Sequence, residues 1–131
     1  MKVIIAGGRN ITFPSEILRA VKDSGFEITE VVCGGARGAD ELGKLWASAH
    51  DIPVKFFLAA WDLYGKSAGY KRNVEMGNYA DAAIVVWDGK SKGSGHMVNI
   101  MAKLKKPCFQ RIVVDKVEGH LDPKCDLAKI F

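Results

Sequence analysis

Apolar residues gather in five short runs along the chain: Lys2 to Ala6, Glu30 to Cys33, Val54 to Leu58, Ala82 to Trp87 and Cys108 to Val114. The runs are continuous rather than alternating, as expected of strands covered on both faces. Gly7-Gly8, Gly34-Gly35 and Asp88-Gly89 close the first, second and fourth, while Pro53 and Pro107 open the third and fifth. Helical spacing fills most of the intervals. Pro14 suits a first helical turn and Glu16 its positive end, Ile17, Leu18 and Val21 mark a buried face, and Gly25 stops it. Leu42, Leu45 and Trp46 predict a helix from Arg37 to His50. Another is expected from Ala68 or Tyr70 to about Tyr79, and a last one from Met97 to Leu104 on a stripe of Met97, Ile100, Met101 and Leu104. Ala59 to Tyr70 fits no clean element, Lys90 to Gly95 reads as a flexible, basic, glycine-rich loop, and Asp115 to Phe131 as a C-terminal tail.

Strands alternating with helices predict an α/β fold. The expected architecture is a single doubly wound, five-stranded parallel sheet in the order 3-2-1-4-5, with residues 1–131 forming one domain. A make-up of 48% hydrophobic and 26% charged residues excludes a disordered or fibrous chain. The three cysteines are odd in number and form no CxxC, and Cys33 and Cys108 sit in apolar runs, which points to a reduced protein. No two Cys or His share ligand spacing, so no metal site is expected, and no cofactor. MKVIIAGGR flows straight into a glycine turn, unlike a signal peptide, and no segment is long enough to span a membrane. A cytoplasmic location is the expectation.

A formal charge of +4 suits an anionic ligand. The basic residues are scattered apart from Lys103, Lys105 and Lys106, which favours a solvated basic surface over a nucleic-acid face. In a sheet of the expected order, ligands lie beyond the carboxyl ends of the strands where the order reverses, here between the first and fourth. The turns Gly7-Gly8-Arg9 and Asp88-Gly89 meet there, with Gly34-Gly35 beside them. The stretch GGARGAD, with Gly34, Gly35, Ala36, Gly38, Ala39 and Asp40 as site candidates, has the logic of a phosphate turn, in which glycines allow close backbone approach and a helix start offers N–H groups. It is neither a Walker A loop, lacking the Lys-Ser/Thr ending, nor GxGxxG.

Asp40 has two readings, a helix cap or a partner for a ribose hydroxyl. Arg9 suits bidentate recognition of an anion, against the plainer reading of a surface Arg paired with a local acid. Trp61 and Tyr64 suit stacking on a base, against core packing, which is the stronger reading for either one alone. Lys66 and Arg72 suit phosphates, and Asn73 a ring edge or hydroxyl; Lys71 reads as solvated. Gly93 and Ser94 open the next helix, with Ser94 as N-cap or phosphate ligand. His96 reads as a half-exposed helix histidine before it reads as an acid or base. Catalytic residues are not legible; Asp88 and Glu75 are the best-placed carboxylates, Asp88 also as a ligand-binding residue at a strand end.

GGR at 7–9, GGARGAD at 34–40, Trp61, Tyr64-Gly65-Lys66, Ala68-Gly69, Arg72-Asn73, Met76 and DGKSKGS at 88–94 resemble, in the same order, the YspA-like (cpYpsA-related) branch of the SLOG superfamily. The resemblance covers roughly residues 2 to 113. It implies a Rossmann-like fold related to the lonely-guy phosphoribohydrolases and to DprA, and ligands of nucleotide origin, including products of NAD. It also implies site roles for Arg72-Asn73 and Gly93-Ser94. Ser94 stands where the branch usually has Thr, and keeps the hydroxyl. The PGGxGTxxE motif of the lonely-guy enzymes loses its Glu here, since the matching stretch is Lys92-Gly93-Ser94-Gly95-His96-Met97-Val98. The run 80–89 also resembles a strand of nucleoside deoxyribosyltransferases. The leading expectation is a sensor or sequestering domain for a nucleotide or ADP-ribose-like molecule. The alternatives are an enzyme that cleaves an N-glycosidic bond and a DprA-like DNA-associated module. Pairing into a homo-oligomer through the exposed face of the Met97 helix is also expected.

Overall fold

The computed structural model describes residues 1–35 and 38–113, and of Lys66 only the backbone. Strands β1 (Lys2–Gly7), β2 (Glu30–Cys33), β3 (Val54–Phe56), β4 (Ala82–Trp87) and β5 (Cys108–Ile112) form one all-parallel sheet in the order β3-β2-β1-β4-β5. Successive side chains of a strand point to opposite faces. Val3 and Ile5 of β1 therefore join Val31, Ile84 and Val86 in one cluster, while Ile4 and Ala6 join Val32, Ala83 and Val85 in another. Each face needs its own cover. Helices α1 (Pro14–Ser24) and α2 (Ala39–Ala49) bury Ile17, Leu42 and Trp46 against the first cluster. Helices α4 (Ala68–Tyr79) and α5 (Lys92–Lys103) bury Met76, Met97 and Met101 against the second. All six residues of β4 are buried, and each large one contributes about 1.5–3 kcal/mol by leaving water.

The expected fold and strand order are those observed, with local differences. β3, the strand at one edge of the sheet, stops at Phe56 instead of Leu58, and two of its three residues are exposed. The stretch from Ala59 forms a short helix α3 (Trp61–Tyr64) and a 3₁₀ turn (Gly65–Ser67) that lead directly into α4. Lys90 to Gly95 is not an open loop: Asp88 Oδ1 accepts the N–H groups of Lys90 and Ser91 at 2.8 and 2.9 Å, and α5 starts at Lys92, five residues early. Leu104 falls beyond α5 and is 38% exposed. The solvent face of α5 carries Asn99, Ala102 and Lys103, whereas exposed apolar side chains gather between Phe56 and Val74. The expected helix start at Arg37 and the tail from Asp115 lie outside the described residues. Among those described, no helix is long and apolar enough to cross a membrane.

The amino edge of the sheet is tied by polar contacts. The Lys2 N–H donates to Asp81 at 2.8 Å and the Tyr79 hydroxyl to Glu30. Lys106, one of the clustered lysines, caps the carboxyl end of α4: its Nζ donates to the carbonyls of Gly77, Asn78 and Ala80 at 2.9, 3.1 and 2.8 Å. A cation here also meets the negative end of the helix dipole. Lys106→Ala is expected to lower stability by about 1–2 kcal/mol, read as a fall in the urea midpoint. An unchanged midpoint would mean that water replaces these bonds without loss.

Candidate functional site

The carboxyl edge of the sheet is built by close backbone contact. Gly7 ends β1 with its N-terminal neighbours in the sheet, and a Cβ on it would stand 1.8 Å from the Val86 carbonyl oxygen of β4. Gly38, at φ +76°, would bring a Cβ within 2.3 Å of the Gly8 carbonyl oxygen. Only glycine fits either place. The Gly8 N–H donates to Val86 at 3.0 Å, and the Gly8 carbonyl accepts the Ala39 N–H at 3.2 Å. The first N–H of α2 is thus already bound by protein, and Asp40 and Glu41 occupy its first turn.

Asp40 is 5% exposed and does not cap α2, whose N-cap is Gly38. Its Oδ2 accepts the Gly34 N–H at 3.2 Å, which holds the second glycine turn. The Gly34 carbonyl accepts Arg72 Nη1 at 2.7 Å. A Cβ on Gly34 would come within 2.9 Å of that guanidinium, so the bare glycine lets Arg72 cross the turn. Arg72 Nε also donates to Asn73 Oδ1 at 3.3 Å, which leaves three of the five guanidinium N–H groups for other partners. Asn73, 8% exposed, donates from Nδ2 to the Gly93 carbonyl at 3.3 Å and lies 3.4 Å from His96 Nδ1. One chain of contacts therefore runs from the Gly34 turn through α4 to the start of α5.

Beside this chain lies a cleft of about 670 Å³, lined by Arg9, Asn10, Gly34, Gly35, Leu58, Ala59, Trp61 and Arg72. Arg9, Asn10 and Arg72 give it a polar, cationic side, and Leu58, Ala59 and Trp61 an apolar one. Among the described residues the single ion pair is Arg111 with Glu16, so Arg9 is not matched to a local acid there. A profile of the family described as YspA, cpYpsA-related SLOG matches residues 1–64. The matched stretch, just under half of the chain, is similar to this family. The matched part carries Arg9, both glycine turns and Trp61, and ends before Arg72. The "Gene 61 protein" of Mycobacterium phage D29 is 35% identical over 83 residues, a stretch that makes up 59% of this chain and 66% of the phage protein. This chain thus spans just under two thirds of that relative. No solved structure matches it.

Five of the residues expected at the site line the cleft: Arg9, Gly34, Gly35, Trp61 and Arg72. Gly7, Gly8, Gly38, Ala39 and Asp40 lie behind them as its frame. Asn73, Gly93 and Ser94 sit where α4 meets α5. Ser94 is not the N-cap, which is Ser91; it lies within the first turn, 5% exposed. Ala36 and the Lys66 side chain lie outside the described residues. Trp61 and Tyr64 are not core residues, at 54% and 50% exposure. Asn10, Leu58 and Ala59 escaped the sequence reading. Asn10 carries a signal only by following Arg9, and Leu58 reads as strand until β3 is seen to end before it.

The acid–base candidates are placed elsewhere. Glu75 is exposed on α4, turned from the face that carries Asn73 and Met76. Asp88 holds the turn before α5, and the N–H groups of Lys90 and Ser91 push its pKa below the ordinary carboxylate value. His96 rests edge-on against Tyr70, with ring centres 4.6 Å apart, and burial followed by the Lys103 charge lowers its pKa, which favours the neutral imidazole. Burial, reinforced by the Asp40 charge, pushes the Cys33 thiol up to about 12.

Two outcomes follow from these shifts. The depressed Asp88 value adds stability above the ordinary value of 3.8, and this is lost as pH falls through the folded value. Asp88→Asn is therefore expected to be less stable than the parent at neutral pH, with the gap in denaturant midpoint closing in acid; a gap independent of pH would refute the turn's dependence on charge. In the native protein the Cys33 peptide should stay unlabelled by iodoacetamide and become labelled only on unfolding, as mapped by mass spectrometry.

Proposed function

We propose that the cleft takes up a phosphate-bearing nucleotide or nucleotide-derived molecule, such as an ADP-ribose-like compound, and that the protein holds it as a sensor or sequestering domain. The observation that carries this reading is the pairing of two arginines from separate elements, Arg9 on the turn after β1 and Arg72 on α4, on one cleft with an apolar opposite wall. Planar guanidinium groups suit phosphate oxygens bidentately. A volume near 670 Å³ is of the size that small-molecule sites have. The similarity of residues 1–64 to the SLOG family is consistent with nucleotide-related binding or processing.

Binding is favoured over cleavage by the lining itself. The described residues around the cleft include no carboxylate, histidine or cysteine to serve as acid, base or nucleophile. Asp88 is held as an ionised turn-former and makes a poor proton donor. The assignment of Lys106 to a helix end removes one member of the basic cluster that a nucleic-acid face would use.

The test is titration calorimetry with AMP and ADP-ribose. Arg9→Ala is expected to weaken binding by about 10- to 100-fold, the worth of charge-assisted hydrogen bonds, with the melting temperature of the free protein unchanged. Arg72→Ala should weaken binding and also lower stability, because it frees the Gly34 carbonyl. Full affinity in Arg9→Ala would remove the cleft from consideration. Free base released on incubation with either nucleotide would replace the binding reading with a hydrolytic one.

A further inference from the structure

Exposed aromatic and apolar side chains crowd the segment around the cleft, and they are not equivalent. Tyr64 has the ammonium of Lys71 over its ring, 4.7 Å from the centre. Tyr70 is engaged edge-on by His96 at 4.6 Å. Phe56 lies under Lys44 at 5.7 Å. Trp61 differs from all three: it lines the cleft, and among the described residues no ring or cation contacts its indole. Its Cη2 stands 3.4 Å from the place where a Cβ on Gly69 of α4 would be, an ordinary van der Waals distance, so the edge of the indole lies beside the helix. The same point lies 4.0 Å from Arg72 Nη2, which makes the indole and the guanidinium neighbours across Gly69. At 54% exposure, much of the indole is open.

We infer that Trp61, set beside Gly69 and Arg72, is the specificity-determining residue that selects ligands bearing an aromatic base next to their phosphate over sugar phosphates without one. The inference rests on the reading of the cleft as a phosphate site and adds which part of the ligand meets which wall. A base stacked on the open indole gains affinity that a sugar phosphate without a base cannot draw on. The closeness of Trp61 to Arg72 requires the ring and the anion to belong to one small molecule, as in a nucleoside monophosphate. Leu58, 73% exposed on the same cleft, supplies a second apolar contact for the ring.

The experiment compares AMP with ribose 5-phosphate, by calorimetry, on the parent protein, Trp61→Ala, Trp61→Phe and Arg9→Ala. The parent should prefer AMP. Trp61→Ala should lower AMP affinity by about 5- to 100-fold, as loss of a base–aromatic stack does, and leave ribose 5-phosphate unchanged. Trp61→Phe should retain much of the AMP affinity. Because Trp46 and Trp87 are buried at 7% and 9% exposure, AMP should quench the indole fluorescence of the parent and not of Trp61→Phe. That signal decides the matter should Trp61→Ala fail to fold. Equal losses for both ligands in Trp61→Ala, or none, would overturn the assignment of Trp61 while a weakened Arg9→Ala left the phosphate site standing. If neither ligand binds the parent, or Arg9→Ala changes neither, the phosphate site itself falls.

Discussion

Three backbones meet at the carboxyl edge of the sheet with no room for side chains between them. Gly7 lies against the Val86 carbonyl of β4, and Gly38 lies against the Gly8 carbonyl at the entry to α2. Everything else at this edge depends on that contact. It clamps the first and second glycine turns to each other and to the fourth strand, across the place where the strand order reverses. It also uses the first N–H of α2 internally, and Asp40 and Glu41 lie in the first turn of that helix. The open space lies farther out, over Gly34 and Gly35, where two arginines reach it.

The buried polar residues around this frame act as fasteners. Asp40 is tied to the Gly34 N–H and Asn73 to the Gly93 carbonyl, while Arg72 joins the Gly34 carbonyl to Asn73. A buried polar group costs free energy unless it is hydrogen-bonded, so such a network fixes one arrangement of the turns. Arg72 is consequently a held cation rather than a mobile one. A positioned charge needs less ordering when an anion arrives. The opposite edge of the sheet, with Lys106 on the end of α4 and Lys2 on Asp81, uses its polar groups to end helices and strands.

The sequence determined the architecture because the signals for it are local. Continuous apolar runs specify strands buried on both faces, Pro14 and Gly25 bracket a helix, and alternation of strand and helix restricts the order of the sheet. It also marked five residues of the cleft, through glycine turns and the arginines near them. Tertiary structure decided what depends on partners far apart in the chain. Trp61 reads as a core residue until the fold is seen to leave it exposed on a cleft. Whether Asp40 caps a helix or holds a turn depends on where the Gly34 N–H lies. Lys90 to Gly95 looks like a flexible loop until Asp88 is seen to gather its N–H groups and start α5 early. Hydrophobic periodicity records which face of an element is buried. It carries no information on which distant polar group completes a hydrogen bond, and in this protein those bonds decide the shape of the site.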